Sequence, residues 1–349
     1  MTHIRILLVG LSVALAATLP SASPYRVSSG SFTYTPIDVP CDTCPKAIAR
    51  RTALGGINPA GAIVGVYTDA VGMSHGFLLT RGVLSTIDVP GAIVGVTGTL
   101  PTVARGIGPS GDIVGQFTAP YNPPLSTEAT VDSAAYCPAI GSAACTKGFL
   151  LRRGEFSLVL FPGHPGAIPG RITPQGDIYG CLHDYDVMAS MFSAAWTRFG
   201  DTSLAAGGGE VTDLSQSFPN SMHGGATPDG NTMVGFYVDM TTNHTHGYIL
   251  QNGVLEPYDV PDSTATTIWD INPGQQMIGT YVDQRGKRHA FLQLPDGSAP
   301  LTIDAPSAPP FNAVSSLAMG VNPSGAIVGQ YTDSSGHTHG FLALPAGQD

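Results

Sequence analysis

Charge is scarce in this chain. Only 11% of its 349 residues are charged, 15 basic against 25 acidic, for a formal net charge of −10. Nucleic-acid binding needs a basic stripe that displaces counterions, and an anionic membrane surface needs a polybasic patch. The sequence has neither, so nucleic acid and a charged lipid surface are excluded as partners. Glutamate is rarer still: Glu128, Glu155, Glu210 and Glu256 are the whole supply. None has a partner at a spacing that would suggest paired-carboxylate glycoside cleavage. No stretch past the first 23 residues has a persuasive period of 3.6, so almost no helix is expected. No glycine-rich phosphate loop leads into a helix, and nothing calls for a cofactor or a metal.

Long apolar runs are missing too, with one exception. Ile6–Leu19 is apolar for 14 residues, follows Arg5, and runs into the small residues "PSAS". That order reads as a secretory signal peptide over residues 1–23, too short to span a bilayer, which takes roughly 20 residues. Export with no later membrane span is therefore expected, in the periplasm or outside the cell. Cysteine is limited to five residues. In an oxidising compartment Cys41 and Cys44, in "CDTCP", suit a local disulfide, and Cys137 and Cys145 could close a second small loop. Pro45 stands where haem attachment would need His, and no second C-x-x-C completes a zinc knuckle. Cys181 is left over.

What the chain has in excess is glycine, 44 residues, and proline, 29 residues, at regular intervals. The reason is internal repetition. "GINPAGAIVGVYTD", "GIGPSGDIVGQFTA", "RITPQGDIYGCLHD", "GATPDGNTMVGFYVD", "DINPGQQMIGTYVD" and "GVNPSGAIVGQYTD" are versions of one unit. Their opening apolar positions are Ile57, Ile107, Ile172, Ala226, Ile271 and Val321, spaced by 50, 65, 54, 45 and 50 residues. Periods of that length mark repeat architectures. Each unit reads as a turn such as Asn58–Gly61, a strand, an Asp-x-x-Gly turn such as Asp69–Gly72, a strand carrying "HGF", and a last strand of the form "STIDVP". About four strands per unit is the content of a propeller blade. The expected fold is all-β, a six-bladed β-propeller in a single domain over residues 24–349, with a long insertion at 119–146 in the second unit.

The chain ends suggest how such a ring closes. The sixth unit stops at "GFLALPAGQD" and lacks its "IDVP" strand, while "SFTYTPIDVP", residues 31–40, is that strand without a unit. Phe32–Val39 is therefore expected to pair beside Gly340–Leu344, completing the last blade and removing an exposed edge.

"RHAFLQLPDG", with His289-Ala290-Phe291, and the recurring "IN-x-x-G-x-x-V-G" resemble the HAF-repeat extracellular proteins of bacteria, over nearly all of the chain past its leader. The resemblance implies a repeat-built extracellular protein and no single reaction. Unit three departs from it, with "AAW" at Ala194–Trp196 in place of "HGF".

Repetition also sorts the candidate residues. A catalytic group is needed once, so residues that recur in every unit are read as structural. These are the "HGF" histidines His75, His246, His289 and His339, the turn aspartates Asp69, Asp239, Asp283 and Asp333, and the last-strand aspartates Asp38, Asp88, Asp259 and Asp304. The G-x-S-x-G match in "GMSHG" falls to the same logic, because Ser74 is replaced by Thr245, Arg288 and Thr338 in other units and enters a strand rather than a helix. Function is sought where units differ. The long 119–146 segment is one such place, and "CLHDYDV", with His183, Asp184 and Asp186, is another. A third is the strand before each "INPxG" turn, expected to be innermost, where Arg105, Arg171, His223 and Trp269 would face a central funnel and could hold an anionic or sugar-like ligand. The leading expectation is a non-catalytic binding module for an extracellular protein or glycan. Alternatives are an extracellular polysaccharide hydrolase or lyase with its site at one channel mouth, and a structural surface or matrix protein. The oligomeric state is not legible from the residues.

Overall fold

Glycine and proline at the turns and β-branched residues between them give short antiparallel strands throughout. The computed structural model describes residues 17–18, 27–29, 32–44, 46–90, 92, 101–120, 144–159, 166–183, 192–197, 211–213 and 221–346. Among them there is no α-helix. Among the described residues the strands pair as antiparallel meanders gathered into sheets of ten, four, four and eight strands. Unit one is Arg51–Ile57, Ile63–Thr68, Ser74–Thr80 and Val83–Ile87. Unit two is Thr102–Ile107, Ile113–Pro120, Ala144–Arg152 and Glu155–Val159. Unit three is Gly166–Ile172, Ile178–His183, Phe192–Thr197 and Val211–Asp213. Unit four is Ser221–Ala226, Thr232–Asp239, His244–Gln251 and Val254–Tyr258. Unit five is Ala265–Ile271, Met277–Val282, Arg288–Gln293 and Leu301–Thr302.

Unit six takes Ala313–Val321, Ile327–Asp333 and Thr338–Pro345 from the chain's end and Phe32–Ile37 from its beginning. The pairing expected from sequence is present, with Gly340 opposite Ile37 and Pro345 opposite Phe32. Unit six also meets unit one, through a parallel bridge of Thr338 to Arg51.

The apolar core lies between successive sheets. Val64 of unit one packs with Ala104, Ile113, Phe117 and Phe149 of unit two, and Val328 of unit six packs with Leu54, Ile63 and Phe77 of unit one. The "VG" glycines leave room within their own sheets. A Cβ on Gly115 would sit 2.0 Å from the Val103 carbonyl and 2.9 Å from the Phe149 ring, and one on Gly329 2.0 Å from the Leu317 carbonyl and 2.8 Å from Phe341.

Polar side chains stitch neighbouring units. The turn asparagine has two tasks. Asn58 Oδ1 accepts from the Ala60 and Ala62 amides to shape its own turn, while its amide donates to the Gly108 carbonyl of the next unit, 3.3 Å away. Asn272 donates in the same way to the Asn322 carbonyl, and Asn322 to that of Asn58. A second stitch joins each "IDVP" end to the following inner strand. The amides of Val39, Val89, Val260 and Ala305 donate to Thr52, Thr102, Thr266 and Ser316.

Candidate functional site

The recurring histidines are all engaged. His75 Nδ1 lies 2.9 Å from Asp88 and its Nε2 3.5 Å from Asp69. His289 sits between Asp304 and Asp283, and His339 between Asp38 and Asp333. His246 meets Asp259 at 2.7 Å. Tyr67, Tyr237, Tyr281 and Tyr331 stack on these four rings at centroid distances of 4.9 to 5.4 Å. Each clamp ties the third strand to the last strand and, in units one, five and six, to the Asp-x-x-Gly turn. The hydrogen bond that His75 donates to Asp88 raises its pKa against the opposing effect of burial. Burial also opposes charge on His339, but Asp38 and Asp333 outweigh it and raise that pKa too. Ser74 hydrogen-bonds Thr68 rather than His75, whose nitrogens face the aspartates. The neighbouring pairs His244–His246 and His337–His339 stand 6.2 and 4.9 Å apart, ring to ring, with Nδ1 of His246 and of His339 already on carboxylates.

The axis is built differently. All six inner strands carry a β-bulge at one repeat position, occupied by Gly55, Arg105, Gly170, Gly224, Trp269 and Met319. A bulge turns a side chain out of the pleat. Backbones there approach so closely that a Cβ on Gly320 would lie 2.9 Å from Gly56 Cα, and one on Gly55 2.9 Å from the Arg105 carbonyl. Arg171, one step beyond its bulge, fills the space that remains. Its guanidinium donates to the carbonyls of Arg105, Gly170, Trp269 and Met319, from four separate units. Its Nε lies 3.1 Å from Asp270 Oδ1. Asp270 in turn accepts from the Val321 amide of unit six. Arg171 is thus an axial plug, both of its terminal nitrogens taken by backbone carbonyls.

The second-strand residues after each "VG" glycine are Val66, Gln116, Cys181, Phe236, Thr280 and Gln330, of which Val66, Gln116, Cys181 and Thr280 are buried. Arg105 donates from Nε to Gln116 Oε1 at 2.7 Å, and Arg51 to Gln330 Oε1 at 3.3 Å. Burial lowers the pKa of both arginines, and for Arg105 the charges of Arg171 and Arg51 add to the effect. Ala53 and Val66 of unit one and Val103 of unit two form a small buried cluster. On units four and five, Phe236 meets Trp269 edge-on at 5.1 Å. The Trp269 indole nitrogen and the Thr280 hydroxyl are buried with no hydrogen-bond partner among the described residues.

Of the residues expected to form a site, Arg105, Arg171, His223 and Trp269 come together around the axis. His223 is packed away there, only 4% exposed, against Tyr179. Burial, helped by the Arg171 charge, pushes its pKa down to about 3, so the ring is neutral. Cys181, the leftover thiol, is free and buried, and burial pushes its pKa up to about 11. Cys41 and Cys44 form the expected disulfide. Cys137, Asp184, Asp186 and the side chains of Cys145 and His183 lie outside the described residues, as does most of 119–146. Sequence reasoning missed Arg51, which opens the inner strand of unit one, and the glutamines. The signal was available in the repeat position after "VG", where apolar, thiol and amide residues alternate without a rule.

No protein-family model and no curated protein matches the chain. Solved structures do. A protein of unknown function from Dyadobacter fermentans is 10% identical with a TM-score of 0.50, over 89% of this chain and 99% of that one. Trypanosoma rangeli sialidase in complex with 2,3-difluorosialic acid is 8% identical with a TM-score of 0.51. The likeness to the sialidase covers 91% of this chain and 59% of that one. TolB from Acinetobacter baumannii is 11% identical with a TM-score of 0.49, over 81% of this chain and 63% of that one. The chain thus spans about three fifths of the sialidase and TolB chains. At such identities the likeness speaks to fold alone, and the fold is an all-β one of the β-propeller kind.

Proposed function

We propose that the protein is an exported six-bladed β-propeller, closed by its N-terminal strand, that acts as a non-catalytic binding module for an extracellular protein or glycan. The HAF-repeat resemblance belongs to the same reading, and the Cys41–Cys44 disulfide suits an oxidising compartment. One observation carries the proposal. The repeated polar residues are spent on clamps and stitches, while the unrepeated Arg105, Arg171 and Trp269 meet at the axis. A rigid scaffold with a variable central mouth is a binding geometry. The candidate proton carrier, His223, is sealed inside and neutral, which favours binding over hydrolase or lyase chemistry at this mouth.

A glycan and secreted-protein binding screen on the intact protein tests this. Specific capture that weakens in Trp269→Ala is expected. Turnover of a polysaccharide, abolished by a change at Arg105, would replace the binding module with an enzyme. Self-assembly at modest concentration, with no ligand found, would favour the matrix-protein reading.

A further inference from the structure

We propose that His244 and His246 form a surface site for a divalent transition metal, with copper(II) preferred. The site lies on the third strand of unit four rather than on an inner strand, so it stands or falls separately from the binding-module reading.

The four His–Asp clamps are not equivalent. The histidine follows the turn aspartate by six residues in units one, five and six, from Asp69 to His75, Asp283 to His289 and Asp333 to His339, but by seven in unit four, from Asp239 to His246. In the three shorter turns the aspartate Oδ2 lies 3.4 to 3.5 Å from the histidine Nε2. The extra residue in unit four folds Asp239 back on its own loop. Its carboxylate accepts from the Thr241 amide and the Thr242 hydroxyl, each at 2.8 Å, and its carbonyl accepts from the Asn243 amide. His246 keeps the other half of the clamp, with Nδ1 2.7 Å from Asp259 Oδ2. Among the described residues its Nε2 has no partner.

A carboxylate on Nδ1 fixes the ring proton there and leaves a lone pair on Nε2, which is how a carboxylate behind a ligand histidine prepares it for a metal. Tyr237 stacks on the same ring at 5.4 Å and holds its plane. His244 stands two residues earlier, so both rings project from one face of the strand. It is exposed, and its ring makes no hydrogen bond among the described residues. The two ring centroids are 6.2 Å apart. Imidazoles sharing a metal at about 2.0 to 2.1 Å have centroids roughly 4.5 to 5 Å apart. A side-chain rotation of the exposed His244 covers that difference. The charges agree with a cation: residues 221–260 contain no lysine or arginine, while Asp239 and Asp259 flank the pair. No third His, Cys, Asp or Glu completes a cluster among the described residues, so water fills the remaining positions. An open site of two imidazole nitrogens takes the metal with the greatest intrinsic affinity for nitrogen, and in the divalent series that is copper.

The other units lack one part or another. His337 and His339 of unit six are closer, at 4.9 Å, but His337 Nε2 donates to the Ala49 carbonyl at 3.0 Å and both nitrogens of His339 face aspartates. In units one and five the place of His244 is taken by Met73 and Lys287.

Titration of the intact protein with copper(II) chloride, followed by calorimetry and electron paramagnetic resonance, tests the site. Nitrogen-ligated copper is expected, bound more tightly than zinc. His244→Ala, outside the clamp, should remove one bound copper per chain and leave the melting midpoint unchanged. Asp259→Asn should weaken that copper about tenfold or more, because the carboxylate behind the ligand is lost. His337→Ala should leave copper binding as it was. Full retention of copper in His244→Ala, an equal loss in His337→Ala, or no copper bound at all would overturn the proposal.

Discussion

Units one and two sit side by side and share most of their sequence, yet they close differently. Unit one holds His75 between Asp69 and Asp88. At the matching positions unit two has Lys147, Ala119 and Leu160. Unit three likewise has Ala194 and, one residue past the partner of Ala195, Leu214. Histidine and the last-strand aspartate are present together in four units and absent together in two. The clamp is therefore one device whose parts are useful only in combination. Burial lowers the Lys147 pKa, as expected of a cation without the clamp's carboxylates. Unit two keeps its strand order without the clamp, so the clamp adds stability to a meander that the apolar core already specifies.

The comparison can be broken most completely in unit six, whose clamp aspartate arrives from the other end of the chain. Removing residues 24–40 takes away both Asp38 and the strand opposite Gly340–Pro345, and the single cooperative transition in calorimetry should be lost. An unchanged melting curve would show that the closing strand is dispensable. Next in size is the axial plug, common to all units. Arg171→Leu leaves Asp270 and four carbonyls without their donor and should cost about 3 kcal/mol in denaturant unfolding. A cost near zero would mean the axis repacks.

A smaller effect separates clamped from unclamped units. His339→Ala should cost about 1.5 kcal/mol, because hydrogen bonds to carboxylates are lost, whereas Lys147→Ala should change stability by less than about 0.5 kcal/mol. The clamps also carry a pH signature. His75 and His339 have raised pKa values in the folded state, so their contribution is full below the unfolded value of about 6.5 and fades as pH rises through the folded values. Asp283 has a lowered pKa, chiefly from the Lys287 amide, and Asp333 has one because its hydrogen bonds outweigh burial. Their contribution is present above the unfolded value of about 3.9 and is lost as pH falls. The melting midpoint should therefore peak between about pH 4 and pH 6.5, and the alkaline decline should be shallower in His339→Ala. A profile that the substitution does not alter would remove the clamp's role.

The finest test rebuilds the device where it is missing. Lys147→His with Leu160→Asp should stabilise unit two by no more than about 0.5 kcal/mol, with Ala119 still in the turn position, and either change alone should give nothing. A gain from one change alone would show that the parts are not coupled.

Much of this was legible in the residues. The turn glycines, the "VG" and "HGF" patterns and the split "IDVP" strand carried the strand content, the repeat and the pairing of the two termini. They do so because a six-fold repeat supplies its own internal alignment, and positional preference can be read from recurrence. The clamps were readable as structural for the same reason. The axial cluster was only half legible. Arg105, Arg171, His223 and Trp269 stand out as departures in one strand, but their roles differ and the strand does not say how. Arg171 is saturated by carbonyls, and a carbonyl's direction depends on the bulge and on the neighbouring units. His223 is buried against Tyr179, a residue of the preceding unit.

By itself, then, the sequence determined the strand and turn content, the number of repeats, the structural use of His and Asp, and the partner of the orphan N-terminal strand, since all of these follow from local periodicity and composition. Only the tertiary structure decided which arginine is spent on backbone carbonyls and which two meet glutamines instead. That depends on how far six inner strands approach one axis, and a contact between residues 51, 105, 171 and 330 has no local signature to read.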